Sequence, residues 1–151
     1  MSDSSPKLNM GKIAALRTVR EKVLELNNAM NELGRPILED LSLLPRIHRI
    51  YQGLFSRREC PEKSSKVYHR QKFIFVALYL YSPKTLAGDR IRMGLRDKIA
   101  EVLGLSSGTP ISESCSKIMF SYNNYRDFRR DVDIIYGDVV AELGDHMLLP
   151  G

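Results

Sequence analysis

The chain has 151 residues, of which 43% are hydrophobic and 27% charged, so it is long enough to bury a core without disulfides or metals. Its formal net charge is +5, and its two cysteines, Cys60 and Cys115, form no CxxC zinc motif. Its first residues, MSDSSPK, lack the apolar core of a signal peptide, and its longest apolar stretch, residues 73–81, is too short to cross a bilayer. We therefore expect a cytoplasmic protein with no cofactor, no metal and no membrane partner.

Positive charge is concentrated in the middle of the chain. Thirteen Lys and Arg residues but only four Asp and Glu residues lie between Arg46 and Lys98, an excess of nine. From Arg126 onward, six acidic residues stand against three arginines. This asymmetry is typical of a surface that faces a polyanion, although a basic surface that only serves solubility has the same pattern.

The N-terminal part predicts a disordered tail at residues 1–8 and a long helix from Asn9 to Leu33. Along this helix, apolar residues recur at alternating steps of three and four: Leu16, Val19, Val23, Leu26, Met30 and Leu33. Such an a/d stripe has two interpretations, a helix that packs into a bundle or a dimerising coiled coil. We take its six residues as candidate oligomerisation residues.

The next segments predict three helices of different character. Gly-Arg-Pro at residues 34–36 ends the first helix, and a short helix is expected from Ile37 to Leu44. A basic amphipathic helix follows from Arg46 to Phe55, and its apolar face fits core packing better than a membrane or a groove. After a loop at residues 56–65, the helix from Lys66 to Tyr81 is apolar all round in its second half. This pattern predicts the most buried helix of the protein.

The C-terminal part predicts a loop at Thr85–Gly88 and then helices over Asp89–Leu103, Pro110–Tyr122 and Tyr125–Leu143, with Thr109 as the N-cap of the second. The sequence as a whole therefore predicts an all-α fold, a helical bundle that contains a helix-turn-helix-like unit and has a long N-terminal helix. We expect three regions: the tail at 1–8, an N-terminal helical arm at 9–60, and a helix-turn-helix-like helical domain at 61–151.

The segment from Arg92 to Tyr122 has the pattern of a helix-turn-helix. Ala100 is small enough for two helices to cross closely, and Gly104 allows the turn between them. Apolar residues on both helices face the core: Ile99, Leu103, Leu105, Ile111, Cys115, Ile118 and Met119. Four polar residues lie off this apolar stripe, on the face that the motif presents to a DNA groove: Ser112, Glu113, Ser116 and Lys117.

The twenty residues IAEVLGLSSGTPISESCSKI, Ile99 to Ile118, resemble the signature of the DNA-binding domain of the bacterial chromosomal replication initiator. VALYL at residues 76–80 is similar to the apolar helix that precedes the motif in that family. The resemblance covers about residues 66–143. It implies a helical domain related to the Trp-repressor type that binds duplex DNA.

The resemblance transfers only two polar positions, Thr109 and Lys117. Residues 106–108 are Ser-Ser-Gly where the family has an Arg-Asp-His run, and Ile74 stands where the family has a base-contacting arginine. The family's sequence preference therefore does not carry over to this chain.

If duplex DNA is bound, the candidate residues divide by role. Ser106, Ser107 and Thr109 precede or begin a helix, where free N–H groups suit a phosphate. Ser112 and Ser116 are candidates for base edges. Candidate phosphate contacts are the basic residues Lys66, Arg70, Lys72, Arg90, Arg92, Arg96 and Lys98.

Enzymatic motifs are absent from the sequence: it has no P-loop, GxGxxG, HExxH or GxSxG pattern. Cys115 falls on an apolar helix face, which indicates a core residue. We therefore expect no enzymatic activity. The first hypothesis is a DNA-binding regulator or replication accessory protein. The second is a helical structural or interaction protein, an adaptor or particle-assembly component, that associates as a homodimer or with another protein through its N-terminal helix.

Overall fold

The computed structural model describes residues 5–57 and 66–145, with side chains for all of these except 55–57 and 66–68. Within these ranges the chain forms seven α-helices and no strand, which confirms the all-α prediction. It divides into two compact units, Met1–Gly34 and Arg35–Gly151. None of the described helices has the length and apolarity that crossing a bilayer requires.

The first unit contains one helix, α1, at Met10–Leu33. Asn9 is its N-cap, since Asn9 Oδ1 accepts a hydrogen bond from the Lys12 N–H at 3.2 Å. At the other end, the Gly34 N–H donates to the Met30 carbonyl at 2.9 Å. Gly34 has a φ of −93°, so α1 ends without a left-handed residue. No residue of α1 is buried.

The second unit contains the six other described helices. They are α2 (Leu44–Arg57), α3 (Lys66–Tyr81), α4 (Pro83–Leu86), α5 (Met93–Val102), α6 (Thr109–Asn124) and α7 (Arg126–Asp145). A short 3₁₀ helix at Leu41–Leu43 leads directly into α2. Because α3 contacts each of the other five helices, it forms the centre of this bundle.

Burial along α3 confirms the prediction that this is the most buried helix. Of residues 71–81, only Tyr79 is exposed. The backbone that follows α1 is tied to the end of α3, because the N–H groups of Ile37 and Leu38 both donate to the Leu80 carbonyl at 2.9 Å. The Tyr81 hydroxyl donates to the Asp40 carbonyl at 2.6 Å. Burial, and secondly the nearby Asp40 carboxylate, raise the pKa of Tyr81, so this hydroxyl remains a donor.

An ion pair joins α3 to α7 inside the bundle. Lys72 is only 2% exposed, and its Nζ lies 2.6 Å from Asp131 Oδ2. A buried ammonium group is costly unless a carboxylate is close to it. Lys72 is therefore a structural residue, and its interpretation as a contact to the DNA backbone was wrong.

Two amphipathic helices pack as their patterns predict. The buried residues are Leu44, Ile47, Ile50, Tyr51 and Leu54 on α2, and Phe128, Val132, Ile135, Val139 and Leu143 on α7. The helix α2 contacts both α5 and α7. It therefore belongs to the second unit rather than to an N-terminal arm, and the division of the chain into units falls after Gly34. The expected boundary at residue 60, most of the 56–65 loop and residues 1–4 of the tail lie outside the described residues.

Three predicted segments differ from the structure. Between Ile37 and Leu44 only the 3₁₀ helix forms, because Asp40 Oδ1 accepts hydrogen bonds from both the N–H and the hydroxyl of Ser42, at 2.9 and 2.6 Å. The expected loop at Thr85–Gly88 begins inside α4, where Pro83 starts the helix. The helix expected from Asp89 begins only at Met93.

Candidate nucleic-acid interface

The connection between α5 and α6 brings these two helices together. They contact each other, and both contact α3. Gly104 has a φ of +74°, its N–H donates to the Glu101 carbonyl at 3.0 Å, and the Leu105 N–H donates to the Ala100 carbonyl at 2.8 Å. This pair of hydrogen bonds is the Schellman arrangement, which ends a helix with a left-handed residue and so favours glycine.

The start of α6 is shaped by side chains of α5. Gly108, and not Thr109 as predicted, is the N-cap of α6. A Cβ atom at Gly108 would collide with Arg96 Nε and would lie 2.8 Å from Asp97 Oδ1. The α5 side chains thus occupy the space that a capping side chain needs. Thr109 becomes the first residue of the helix, and it is exposed.

The inner face of α6 anchors the helix to the core. Ile111 and Ile118 are fully buried. Cys115 is partly buried, its Sγ donates to the Ile111 carbonyl at 3.3 Å, and burial raises the pKa of the thiol. A raised thiol pKa disfavours the nucleophilic thiolate, which agrees with the interpretation of Cys115 as a core residue.

The outer face of α6 is polar and exposed. Thr109, Ser112, Glu113, Ser116 and Lys117 are all exposed, over little more than two helical turns. The Ser116 hydroxyl donates to the Glu113 carbonyl at 3.3 Å within the helix. The connection before α6 is exposed as well at residues 106 and 107, both serines. We call the exposed residues Thr109, Ser112, Glu113, Ser116 and Lys117 the α6 face.

A cleft of about 590 Å³ lies beside the α6 face. Ser112, Cys115 and Ser116 of α6 line one part of it, and Arg90 and Arg96 line another. The cleft is also lined by residues that were not predicted to lie beside α6: Thr85, Gly88, Asp89, Ile91 and Met93. Nothing local in the sequence indicates this proximity, because it arises from the packing of α4 against α6.

Two of the nearby cations bind carboxylates of their own helix. Arg96 Nε lies 3.2 Å from Asp97 Oδ1, and Lys98 Nζ lies 3.6 Å from Glu101 Oε1. All four side chains are on the surface, where such pairs contribute little to stability and exchange readily with other partners.

Three other cations remain open to an anionic partner. Within the described ranges, Arg90, Arg92 and Lys117 make no ion pair, and all three are exposed. Acidic residues are also present, since Asp89 lines the cleft and Glu113 is on the α6 face. The surface is therefore mixed in charge rather than uniformly basic.

Two of the predicted phosphate contacts, Arg70 and Lys66, stay predictions. Arg70 is partly buried in α3, and its Nε is enclosed. The side chain of Lys66 lies outside the described residues. Neither residue adds to the evidence for a nucleic-acid interface.

The second candidate surface is the stripe on α1. All six predicted oligomerisation residues are exposed, from 41% at Met30 to 85% at Leu33, with Leu16, Val19, Val23 and Leu26 between these values. Exposed aliphatic side chains in a continuous line are typical of an interaction surface, because a partner that covers them lowers the free energy by removing apolar area from water.

No family model, curated protein or solved structure matches the chain. The similarity of residues 99–118 to the replication initiator domain therefore stays a prediction from the sequence. In the described part of the chain, no three His, Cys, Asp or Glu side chains gather as a metal site would require.

Proposed function

We propose that this chain is a DNA-binding protein, a regulator or a replication accessory factor, that uses α5 and α6 as a helix-turn-helix on duplex DNA. The observation that carries the proposal is the division of α6 into two faces. Ile111 and Ile118 are fully buried, while the α6 face is exposed along its whole length. A helix that is held firmly from behind and is polar in front meets the demands of a recognition helix.

The charges beside the α6 face suit contacts to the phosphate backbone. Arg90, Arg92 and Lys117 make no ion pair among the described residues, and each neutralised phosphate releases counterions. Ser112 is exposed on the α6 face and is the proposed contact to a base edge, where a hydroxyl discriminates weakly. Glu113 repels phosphates but accepts a hydrogen bond from the cytosine amino group, so it favours a site with cytosine opposite α6.

The test is fluorescence anisotropy of a labelled mixed-sequence duplex, titrated with the protein at several salt concentrations. We expect affinity to fall steeply with salt. The double variant Arg90→Ala/Arg92→Ala removes two phosphate contacts, so the slope of log affinity against log salt should become shallower by about 1.8.

The matched control is Arg49→Ala/Arg126→Ala, which removes the same charge at two exposed arginines, on α2 and at the start of α7, that make no ion pair among the described residues and do not line the cleft. We expect this variant to keep most of the salt slope. The proposal is overturned if the wild-type protein fails to bind at low salt, or if both double variants lose the same slope.

The second candidate function is a helical structural or interaction protein that associates through α1. The observation that favours it is that no residue of α1 is buried although the helix carries an apolar stripe. This function is preferred if the protein does not bind duplex DNA at low salt and the α1 stripe mediates association.

A further inference from the structure

The helix α1 lacks the packing that usually stabilises helices in proteins. It has 24 residues, none of them buried, and its composition includes valines, asparagines and a glycine that are weaker helix formers than alanine. Most helical stability in proteins comes from burying an amphipathic face rather than from intrinsic propensity. A partner that covers the α1 stripe would therefore stabilise the helix by burying its apolar side chains.

Charge is distributed unevenly along α1. The first half, Met10–Lys22, contains Lys12, Arg17, Arg20 and Lys22 against one glutamate. The second half, Val23–Leu33, contains two glutamates, at 25 and 32, and no basic residue. Two such helices attract each other when they run in opposite directions, because the basic half of each then lies beside the acidic half of the other. Opposed helix dipoles add to the same preference.

The apolar stripe fits antiparallel pairing in its side-chain sizes as well. Pairing that places Val23 opposite Leu26 of a second copy also places Val19 opposite Met30 and Leu16 opposite Leu33, since each of these pairs sums to 49 in residue number. Every valine then meets a larger aliphatic side chain, so no layer is made of two small residues. In a parallel pair, Val19 and Val23 would each face their own copies, and the Val19 layer would place a small residue at a d position, where leucine packs best.

From these observations we infer that α1 is a homodimerisation helix that pairs antiparallel with α1 of a second copy of this chain, through Leu16, Val19, Val23, Leu26, Met30 and Leu33. The interface is an a/d seam of six apolar layers, which the two-fold symmetry of the dimer relates in three pairs. The seam ends at Lys12, where the stripe stops. This inference does not depend on DNA binding, and it names the occupant of the surface on which the second candidate function relies.

The first experiment is sedimentation equilibrium of the full chain over a range of concentrations. We expect the mass to rise with concentration towards twice the 17.2 kDa of one chain. Val23→Asp places a carboxylate in the seam and should give a single-chain mass throughout. Leu24→Asp is the matched control, because Leu24 is the next residue, is equally exposed and lies off the stripe, so this variant should still dimerise.

The second experiment determines the direction of pairing by disulfide trapping, in a chain carrying Cys60→Ser and Cys115→Ala. Antiparallel pairing places residue 16 beside residue 33 of the partner and about 25 Å from residue 16 of the partner. A mixture of the Leu16→Cys and Leu33→Cys proteins should therefore form the mixed disulfide far faster than either protein alone forms a disulfide with itself.

A single-chain mass for the wild type at every concentration, or an unchanged mass for Val23→Asp, would overturn the dimer. Predominant disulfides between identical positions would overturn the antiparallel arrangement. The DNA titration of the Val23→Asp protein separates this inference from the proposed function, since a monomer that still binds duplex DNA leaves DNA binding in place and removes only avidity.

Discussion

The helices α1 and α3 show how differently two apolar patterns are used in one chain. In α3, residues 71–81 are apolar on nearly all sides, and five other helices surround them so that only Tyr79 is exposed. In α1, six apolar residues form a narrow stripe, and all six are exposed. A helix that is apolar all round must be buried by its own chain if the chain is to fold, whereas a helix with a single stripe needs only one further surface.

This contrast predicts different consequences for the same substitution in the two helices. Leu78→Ala in α3 leaves a cavity at a side chain with no exposed surface, and should lower the free energy of unfolding by about 2–5 kcal/mol. Leu26→Ala in α1, at 67% exposure, lies outside the second unit and should change the free energy of unfolding of that unit by less than about 0.5 kcal/mol, whatever its effect on the pairing of α1. Urea unfolding followed by tyrosine fluorescence measures this, because all seven tyrosines lie after residue 34. Equal effects in the two helices would contradict the comparison.

A second test uses the ion pair that anchors α3. Asp131→Ala removes the carboxylate beside the buried Lys72 ammonium group, and should lower the free energy of unfolding by about 2–3 kcal/mol. We expect less than for a fully enclosed pair, since Asp131 retains 23% exposure. The control is Asp133→Ala, which removes an exposed carboxylate two residues away on the same helix and should change stability little. If both variants unfold at the same urea concentration, the pair contributes nothing to holding α3.

The glycines that end α1 and α5 offer a third comparison. Gly104→Ala places a Cβ atom on a residue with a left-handed backbone, φ of +74°, and should lower the free energy of unfolding by about 1–2 kcal/mol. Gly34→Ala is expected to be nearly neutral, because the φ of Gly34 is −93°. Thermal unfolding of the two variants by circular dichroism distinguishes these outcomes, and a larger loss from Gly34→Ala would refute the assignment of the two helix ends.

The smallest expected effect is on how the free energy of unfolding of the second unit depends on pH, through His48. Burial lowers the pKa of His48 below its ordinary 6.5, and its ring contacts Phe73 of α3 edge-on with the ring centres 4.9 Å apart. The unfolded chain therefore takes up this proton at higher pH than the folded chain does. As pH falls from above 6.5 towards the folded-state pKa, the free energy of unfolding should decrease, and below that pKa it should level off.

Urea unfolding of the wild type and of His48→Gln across this pH range isolates the contribution of His48. The difference between the two profiles should grow with pH up to about 6.5 and then stay constant. The helix α1 contains no histidine, so its helicity should not follow this profile. A flat difference would show that His48 titrates alike in the folded and unfolded chains.

Much of the α6 region follows from local pattern. Gly104 marks a turn because few other residues adopt a left-handed backbone, and the spacing of Ile111 and Ile118 indicates which face of α6 is buried. The exposed positions of Ser112 and Lys117 follow from the same periodicity. Periodicity predicts which residues of α6 are exposed. It does not predict whether they bind DNA, because binding depends on the free energy of contacts with the partner.

The wrong predictions for Lys72 and Thr109 have a different cause. Lys72 resembles any other lysine in the basic middle of the chain, but it is buried because Asp131, 59 residues further on, lies beside it. Thr109 has the chemistry of an N-cap, but the N-cap of α6 is Gly108, which lies against Arg96 and Asp97 of the preceding helix. In both cases the deciding contact involves residues that are not local in sequence.

The sequence by itself determined where the main helices form, which of their faces are apolar, and that α3 is buried, because hydrophobic periodicity, turn residues and caps act within one or two helical turns. Only the tertiary structure decided that α2 belongs with the second unit, that Lys72 is internal, and that Arg90 and Arg96 line a cleft with α6. The physical reason is that burial and charge pairing depend on distance in space, and the packing of helices brings together side chains that the sequence keeps far apart.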